Sequence, residues 1–239
     1  MGPSSPKPVS EIWLPELTRL PSLTLARRIF RRFFKCFCKF IVFACTRTKI
    51  SGLENYPRRG AAIVVINHLG DPDAILSLAA LPDFPEVIGK IELRSIPVLR
   101  QVMDMLGIIY VHRGQPDRRA MAAALEALHQ GRRIIIAPEG RESVSGGLEV
   151  GTDGAAYLAL KTGAPIVPLT ITGSEFRLIE NGLKKWRRMP VEVKVGIPFT
   201  ILPGTDRREA VKDGTRRIME GLAGQLPAQY RGMYAYIED

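Results

Sequence analysis

The 239-residue sequence predicts an α/β fold with a mostly parallel central sheet flanked by helices. Short, continuous, β-branched apolar runs recur at 61–66, 87–91, 108–111, 134–137, 166–171 and 191–195, and runs of this kind read as strands buried on both faces. Helical patterns at about 73–80, 95–106, 116–130 and 152–162 separate them. Strand–helix alternation at these lengths makes βαβ units and a parallel sheet. The length suits one α/β domain with a sizeable core and an appendage.

The appendage comes first. Residues 1–22, with Pro3, Pro6, Pro8, Pro15 and Pro21, read as an irregular leader. Gly2 invites a myristoylation reading, but Pro6 stands where that pattern needs Ser or Thr. From Leu23 to Thr46 the pattern is helical. Arg27, Arg28, Arg31, Arg32, Lys35 and Lys39 fall within a stripe of about 140° at 100° per residue, with Ile29, Phe30, Phe33, Phe37 and Phe40 opposite. A basic face against a Phe-rich face is the pattern of an amphipathic helix lying in an anionic lipid interface. The structural alternative is a basic helix packed on the main domain with its charges in water. The uncharged run Phe40 to Thr46 is far below the roughly 20 residues of a spanning helix. Charges interleaved with apolar residues also argue against a signal peptide. The expected division is therefore 1–46, leader and membrane-associating helix, and 47–239, main domain. At its far end Thr205 reads as the cap of a last helix running to about Gly224, with a docked irregular tail from Leu226 to Asp239.

A net charge of +10 calls for acidic partners, and much of it is local: the segment from Arg27 to Lys49 carries no acidic residue. Nucleic acid is not the expected partner, because neither a known fold signature nor aromatics interleaved with the basic residues appear. Cys36, Cys38 and Cys45 lie in the same segment without metal-ligand spacing, so neither a disulfide framework nor a metal site is expected. They suit small apolar filler, with acylation beside a membrane as the alternative. Neither Gly-rich nucleotide fingerprint occurs, and no cofactor is expected.

Two strand ends carry the chemistry. The run Ala61 to Ile66 delivers Asn67-His68-Leu69-Gly70-Asp71-Pro72-Asp73, which places His68 at the carboxyl end of a central strand, where open α/β sheets put their ligands. A histidine there can act as general base, and Asp73 can turn back through the Gly-Asp-Pro bend to fix its tautomer. The alternative makes Asp71, Pro72 and Asp73 the cap and first turn of a helix. The second strand end is Pro138-Glu139-Gly140-Arg141-Glu142-Ser143 after Ile134 to Ala137. Glu139 suits a polar acceptor, Gly140 permits close backbone approach, and Arg141 offers bidentate contact to a phosphate. A solvated loop whose Glu and Arg pair with each other is the alternative. Arg113 follows a third strand, while His112 and His129 suit structural or solvent-facing roles.

Taken together, these residues resemble the glycerolipid acyltransferases of the 1-acylglycerol-3-phosphate acyltransferase type. The family's Asn-His-x4-Asp block is similar to Asn67, His68 and Asp73. Its second block resembles Lys90, Glu92, Leu93, Pro97, Gly107 and Arg113. The third, Pro-Glu-Gly-Thr-Arg-Ser, appears as Pro138 to Ser143, and the fourth as Gly163-Ala164-Pro165-Ile166-Val167-Pro168. Even the lead-in Ile50 to Pro57 is similar, and the resemblance covers about residues 48–200. Arg141 stands where Thr is usual, Glu142 where Arg is usual, and Thr152 where many members have Lys; all three changes fall on the acceptor side.

The resemblance implies a glycerol-3-phosphate acyltransferase-like fold at the cytoplasmic face of a membrane, peripheral or monotopic. It implies that His68, oriented by Asp73, removes the proton of an acceptor hydroxyl, which attacks an acyl thioester with no acyl-enzyme. Asn67, Lys90, Arg113, Glu139, Gly140 and Arg141 then become substrate-binding residues, with the arginines on the acceptor phosphate and Glu139-Gly140 shaping the acceptor site. The implied partners are an anionic membrane surface, a lysophospholipid acceptor, lysophosphatidic acid first, and acyl-CoA or acyl carrier protein as donor. A glycolipid or aminolipid acceptor is the nearest rival. A lipid hydrolase is disfavoured by the lack of a Gly-x-Ser-x-Gly elbow, and a binding module using the basic helix alone is the third class.

Overall fold

The computed structural model describes residues 9–114 and 117–237. The myristoylation question at Gly2 and Pro6 lies outside the described residues. The apolar runs become β2 (Ala62–Ile66), β3 (Glu86–Lys90), β4 (Ile109–Val111), β5 (Arg133–Ile136), β6 (Ile166–Thr172) and β7 (Met189–Val195), joined by an unexpected β1 (Thr46–Ser51). The sheet order is β1-β7-β6-β2-β5-β3-β4. From β6 to β4 every pairing is parallel; β7 runs antiparallel to β6, and β1 is parallel to β7. The sheet is thus mostly parallel, with the reversed pair β7 and β1 at one side and β1 as its edge strand.

Helices α1 (Leu25–Cys45), α2 (Pro72–Ala80), α3 (Pro97–Leu106), α4 (Arg118–His129), α5 (Gly154–Thr162), α6 (Phe176–Lys184) and α7 (Arg207–Ala223) cover it. Alternation along β2 decides which layer each residue meets. Ile63 and Val65 pack with Ala124 and Leu128 of α4, Leu158 of α5 and Ile218 of α7. Ala62, Val64 and Ile66 pack on the other face with Leu76 and Ala80 of α2, and Val42 of α1 joins them. All five residues of β2 are buried, as its unbroken apolar run requires.

Three elements depart from the sequence reading. β1, Thr-Arg-Thr-Lys-Ile-Ser, has no apolar run because it is a half-exposed edge strand, formed by pairing with β7. α6 was not expected, because only Phe176, Ile179 and Leu183 mark its apolar stripe, and Phe176 and Leu183 remain exposed. Asp206, not Thr205, caps α7, its carboxylate accepting from the Arg208 N–H at 2.7 Å. The tail docks through two backbone bonds, from Leu148 N–H to Tyr230 C=O and from Met233 N–H to Leu148 C=O, both 2.9 Å.

The orientation of α1 differs from the expected lipid-facing basic stripe. The stripe is split: Arg27, Arg31 and Lys35 turn inward, while Arg28, Arg32 and Lys39 stay outside beside an exposed apolar arc that includes Leu25, Ile29, Phe33, Phe37, Phe40 and Phe43. The inward cations answer orphan carbonyls at two helix ends. Lys35 Nζ donates to Leu81 C=O at 2.6 Å and Asp83 C=O at 2.7 Å, just past α2. Arg31 donates to Leu106 C=O at 2.7 Å and Gly107 C=O at 3.1 Å, at the end of α3, and forks onto buried Glu86 at 2.9 and 2.6 Å. No described helix is long and apolar enough to cross a membrane.

Removing one partner of a buried ion pair leaves the other uncompensated, which costs about 3–5 kcal/mol. Arg132 lies 3.4 Å from Glu86 and softens that loss. Arg31→Ala should therefore destabilise the protein by about 3 kcal/mol, read as a lower denaturation midpoint. The double variant Arg31→Met, Glu86→Leu should recover much of it.

Candidate active site

The parallel register Val65↔Ile136 brings the ends of β2 and β5 side by side, so the loops Asn67–Asp73 and Ala137–Ser143 wall one crevice. Side chains cross-link these ends where the strand ladders stop. Asn67 Nδ2 donates to Ile171 C=O and its Oδ1 accepts from Ile171 N–H, both at 2.8 Å, tying β2 to β6. Glu139 Oε1 accepts the His68 N–H at 3.0 Å and its Oε2 accepts the Glu149 N–H at 2.8 Å. The Ser143 N–H donates to the His68 carbonyl at 2.7 Å. The His68 backbone is therefore gripped at both ends by the second loop.

Asp73 is 0% exposed, and its Oδ2 meets His68 Nδ1 at 3.0 Å while accepting the N–H groups of Leu69 at 2.6 Å and Gly70 at 2.9 Å. Asp71 occupies the N-cap position of α2 and Pro72 the first turn, yet Asp71 makes no capping bond. Both sequence alternatives thus share one bend: Pro72 starts the helix, and Asp73 turns back to the imidazole. An ionised carboxylate only accepts, so Nδ1 carries the proton and Nε2 is left as the basic nitrogen. The His68 side chain is 25% exposed.

The chain carries a second dyad of the same spacing. His112 Nδ1 lies 2.7 Å from Asp117 Oδ2, and the other Asp117 oxygen caps α4 through Arg119 N–H and Ala120 N–H. Here, however, the Leu14 N–H donates to His112 Nε2 at 3.0 Å, the Trp13 ring packs against the imidazole with centroids 4.5 Å apart, and His112 is 1% exposed. Its basic nitrogen is occupied and sealed.

Burial works against the His68 imidazolium, but the hydrogen bond and charge of Asp73, with the charges of Glu142 and Glu139, outweigh it and raise the pKa above 6.5. Burial pushes the Glu139 carboxyl up to about 7 against the pull of its two backbone N–H donors. Burial also raises Glu142, and so does Asp71, which hydrogen-bonds to it.

The remaining expected residues line the same sheet edge at different depths. Lys90 ends β3, and its charge acts on Glu142. Arg113, just past β4, lies 3.9 Å from Glu92, while its backbone pairs with Ser10 of the leader, N–H to Ser10 Oγ at 2.7 Å and C=O from Ser10 N–H at 2.9 Å. Gly140 is exposed with φ +71°, a left-handed conformation suited to glycine. Arg141 is buried, and its Nε donates to Glu149. Thr152 ties the loop's start, donating to Pro138 C=O from both N–H and hydroxyl at 2.7 Å. The structure thus joins His68, Asp73 and Glu139 directly, puts Asn67 and Arg141 behind the crevice wall, and sets Arg113 beyond β5 and β3. Spacing gives no sign of the Asp71–Glu142 contact, which joins two strand ends. The one available signal was Glu142 itself, standing where the pattern has Arg.

Asp73 is the strongest cause raising His68, so kcat/KM should fall with decreasing pH through an apparent pKa above 6.5. Asp73→Asn should move that acid limb to lower pH as well as lowering the rate. A pH–rate profile of both proteins checks this.

A parallel sheet with a carboxylate-oriented histidine at its carboxyl edge defines the class, and residues 47–172 match a family model described as Acyltransferase, so the chain belongs to the acyltransferase family. It is 31% identical over 135 residues to a 1-acyl-sn-glycerol-3-phosphate acyltransferase of Borreliella burgdorferi, covering 55% of this chain and 54% of that protein. It is 29% identical over 185 residues to a probable 1-acyl-sn-glycerol-3-phosphate acyltransferase of Mycoplasma pneumoniae, covering 74% and 67%. Against the crystal structure of the 1-acyl-sn-glycerophosphate acyltransferase PlsC of Thermotoga maritima the TM-score is 0.63 at 25% identity, over 84% of this chain and 83% of that one. The chain spans about half the length of the first relatives it matches.

Proposed function

We propose that the protein transfers a fatty acyl group from a thioester carrier, acyl-CoA or acyl carrier protein, to the free hydroxyl of lysophosphatidic acid, giving phosphatidic acid. The observation that carries this reading is the partly open imidazole of His68, held through Nδ1 by buried Asp73. Nε2 takes the acceptor's hydroxyl proton as its oxygen bonds to the thioester carbonyl carbon. Collapse of the tetrahedral intermediate breaks the C–S bond, and the leaving thiolate recovers the proton from Nε2. No enzyme nucleophile enters the sequence. Lys90 and Arg113 are assigned to the acceptor's anionic group, and Gly140 to close approach of its backbone. Asn67, Glu139 and Arg141 are assigned to holding the crevice wall, since each is engaged by neighbouring groups.

A second reading keeps the reaction and changes the acceptor to an aminolipid or glycolipid. It is favoured by the Asp71–Glu142 pair beside His68 and by the engagement of Arg141 with Glu149. Incubating the enzyme with labelled acyl donor and a panel of lyso-acceptors, with products identified by mass, decides between them.

Residues 1–46 serve in this reading as the membrane-associating part and 47–239 as the catalytic part, working peripherally on the cytoplasmic face of a membrane. The exposed apolar arc of α1, with Arg28, Arg32 and Lys39 beside it, supports an anionic surface as partner. Nucleic acid is not a partner in this reading.

His68→Ala should lower turnover about 10²- to 10⁴-fold with little change in thermal stability. His112→Ala should do the reverse, lowering Tm while leaving kcat within a few-fold, because its Nε2 is already bonded to the leader. A charged hydrogen bond is worth about 1.5–3 kcal/mol, so with a phosphate monoester acceptor Arg113→Ala should reduce kcat/KM about 10- to 150-fold. Monoacylglycerol should be a poor acceptor for both proteins. Preference of the wild type for an acceptor without phosphate would pass the assignment to the second reading.

A further inference from the structure

We propose that the turn Lys184-Lys185-Trp186-Arg187-Arg188 is a second membrane-contacting element, whose indole seats in an anionic lipid interface beside the catalytic crevice. The inference rests on the membrane reading above and adds a site that α1 does not contain.

Four observations carry it. Trp186 is 98% exposed, although indole is among the most favourable side chains to remove from water. It has φ +53°, and among the described non-glycine residues no other has positive φ. A bulky side chain in this region is strained, and such strain points to a role outside the fold. The turn is held by backbone bonds, Trp186 N–H to Leu183 C=O at 3.0 Å and Arg187 N–H to Gly182 C=O at 2.9 Å, so the main chain that carries the indole outward is fixed. Gly182 lets the turn close, since a Cβ there would meet Met189 Cγ at 2.4 Å.

Charge and continuity identify the partner. The indole is flanked by four exposed cations, and of these only Lys184 meets a carboxylate among the described residues, Glu180 at 2.8 Å. An amphipathic ring ringed by Lys and Arg matches the anionic headgroup level of a bilayer, where Trp is favoured. The surface is also continuous with the apolar arc of α1: Arg188 Nε donates to Thr46 C=O at 2.8 Å, and its guanidinium lies 4.6 Å from the ring centre of exposed Phe43. At the other end of α6, an added Cβ on Gly70 of the His68 loop would stand 3.6 Å from the Phe176 nitrogen. One helix therefore joins the proposed anchor to the catalytic bend.

The chain has two tryptophans, so Trp13→Phe makes Trp186 the sole indole. In that full-length variant, vesicles of phosphatidylcholine with phosphatidylglycerol should shift its emission to the blue and allow quenching by lipids brominated on the acyl chain, whereas phosphatidylcholine alone should do neither at raised salt. Trp186→Gly should lower partitioning onto the anionic vesicles about tenfold, leave Tm unchanged or raised because glycine relieves the positive φ, and preserve turnover of a short-chain, water-soluble acceptor. Sedimentation of the protein with vesicles while Trp186 emission and quenching stay unchanged would overturn the proposal and leave binding through α1 standing. A fall in Tm on Trp186→Gly would also overturn it, assigning the indole to the fold. Absence of vesicle binding at every lipid composition would overturn both the proposal and the membrane reading.

Discussion

The crevice depends on the carboxylate of Glu139. Beyond the last ladder bonds, one backbone bond, Ser143 N–H to His68 C=O, joins the loops that follow β2 and β5, and it leaves the His68 N–H without a backbone partner on that side. Glu139 joins them by accepting one N–H from His68 and one from Glu149. On the opposite side Asn67 does the same between β2 and β6 through the Ile171 peptide groups. His68 thus sits between two side-chain cross-links to neighbouring strands. Complete burial of Glu139 disfavours its charge, which is why its pKa climbs to about 7 although both oxygens accept N–H bonds. Within the proposed mechanism the third block acts mainly as a scaffold for the first.

The two His-x4-Asp pairs of this chain separate geometry from chemistry. Each stands at the end of a parallel strand, each aspartate meets Nδ1 of its histidine, and each begins a helix. What differs is the second ring nitrogen. The leader donates to that of His112 and covers the ring with Trp13, whereas His68 keeps a quarter of its side chain open beside the crevice. Spacing therefore encodes an oriented imidazole, and access to Nε2 decides whether it can take a proton. The leader's role at His112 is packing: it closes a strand end that would otherwise resemble an open site.

Much of the sheet was legible because β2, β5 and β6 are buried on both faces, and an apolar run that short and unbroken suits a strand covered by helices on either side. β1 and α6 were not, since an edge strand and a half-exposed helix are made by what they pack against. His68, Asp73 and Glu139 were legible as residues, and the bend at Pro72 as a turn. The engagement of Arg141 with Glu149 was not, because the two are eight positions apart in a loop of no regular period. The basic stripe of α1 illustrates the limit best: periodicity finds the face but not which way each cation turns. Buried Glu86 and the carbonyl ends of α2 and α3 decide that, and none of these can be read from the helix itself.

The split stripe has a consequence for how the crevice meets its lipid. Cations that would have faced water or headgroups instead lock α1 against α2 and α3, so the exposed apolar arc is rigidly tied to the sheet. α6 is tied to the same frame, at one end near Gly70 and at the other through Arg188 to Thr46. Two apolar surfaces fixed to one frame define a plane, and a plane fixes tilt and depth where a single amphipathic helix on a flexible tether would leave both free. In the membrane reading His68 therefore meets the acceptor at a set height above the acyl chains, with the charges of Glu139 and Glu142 acting on its imidazole and those of Asp71 and Lys90 acting on Glu142.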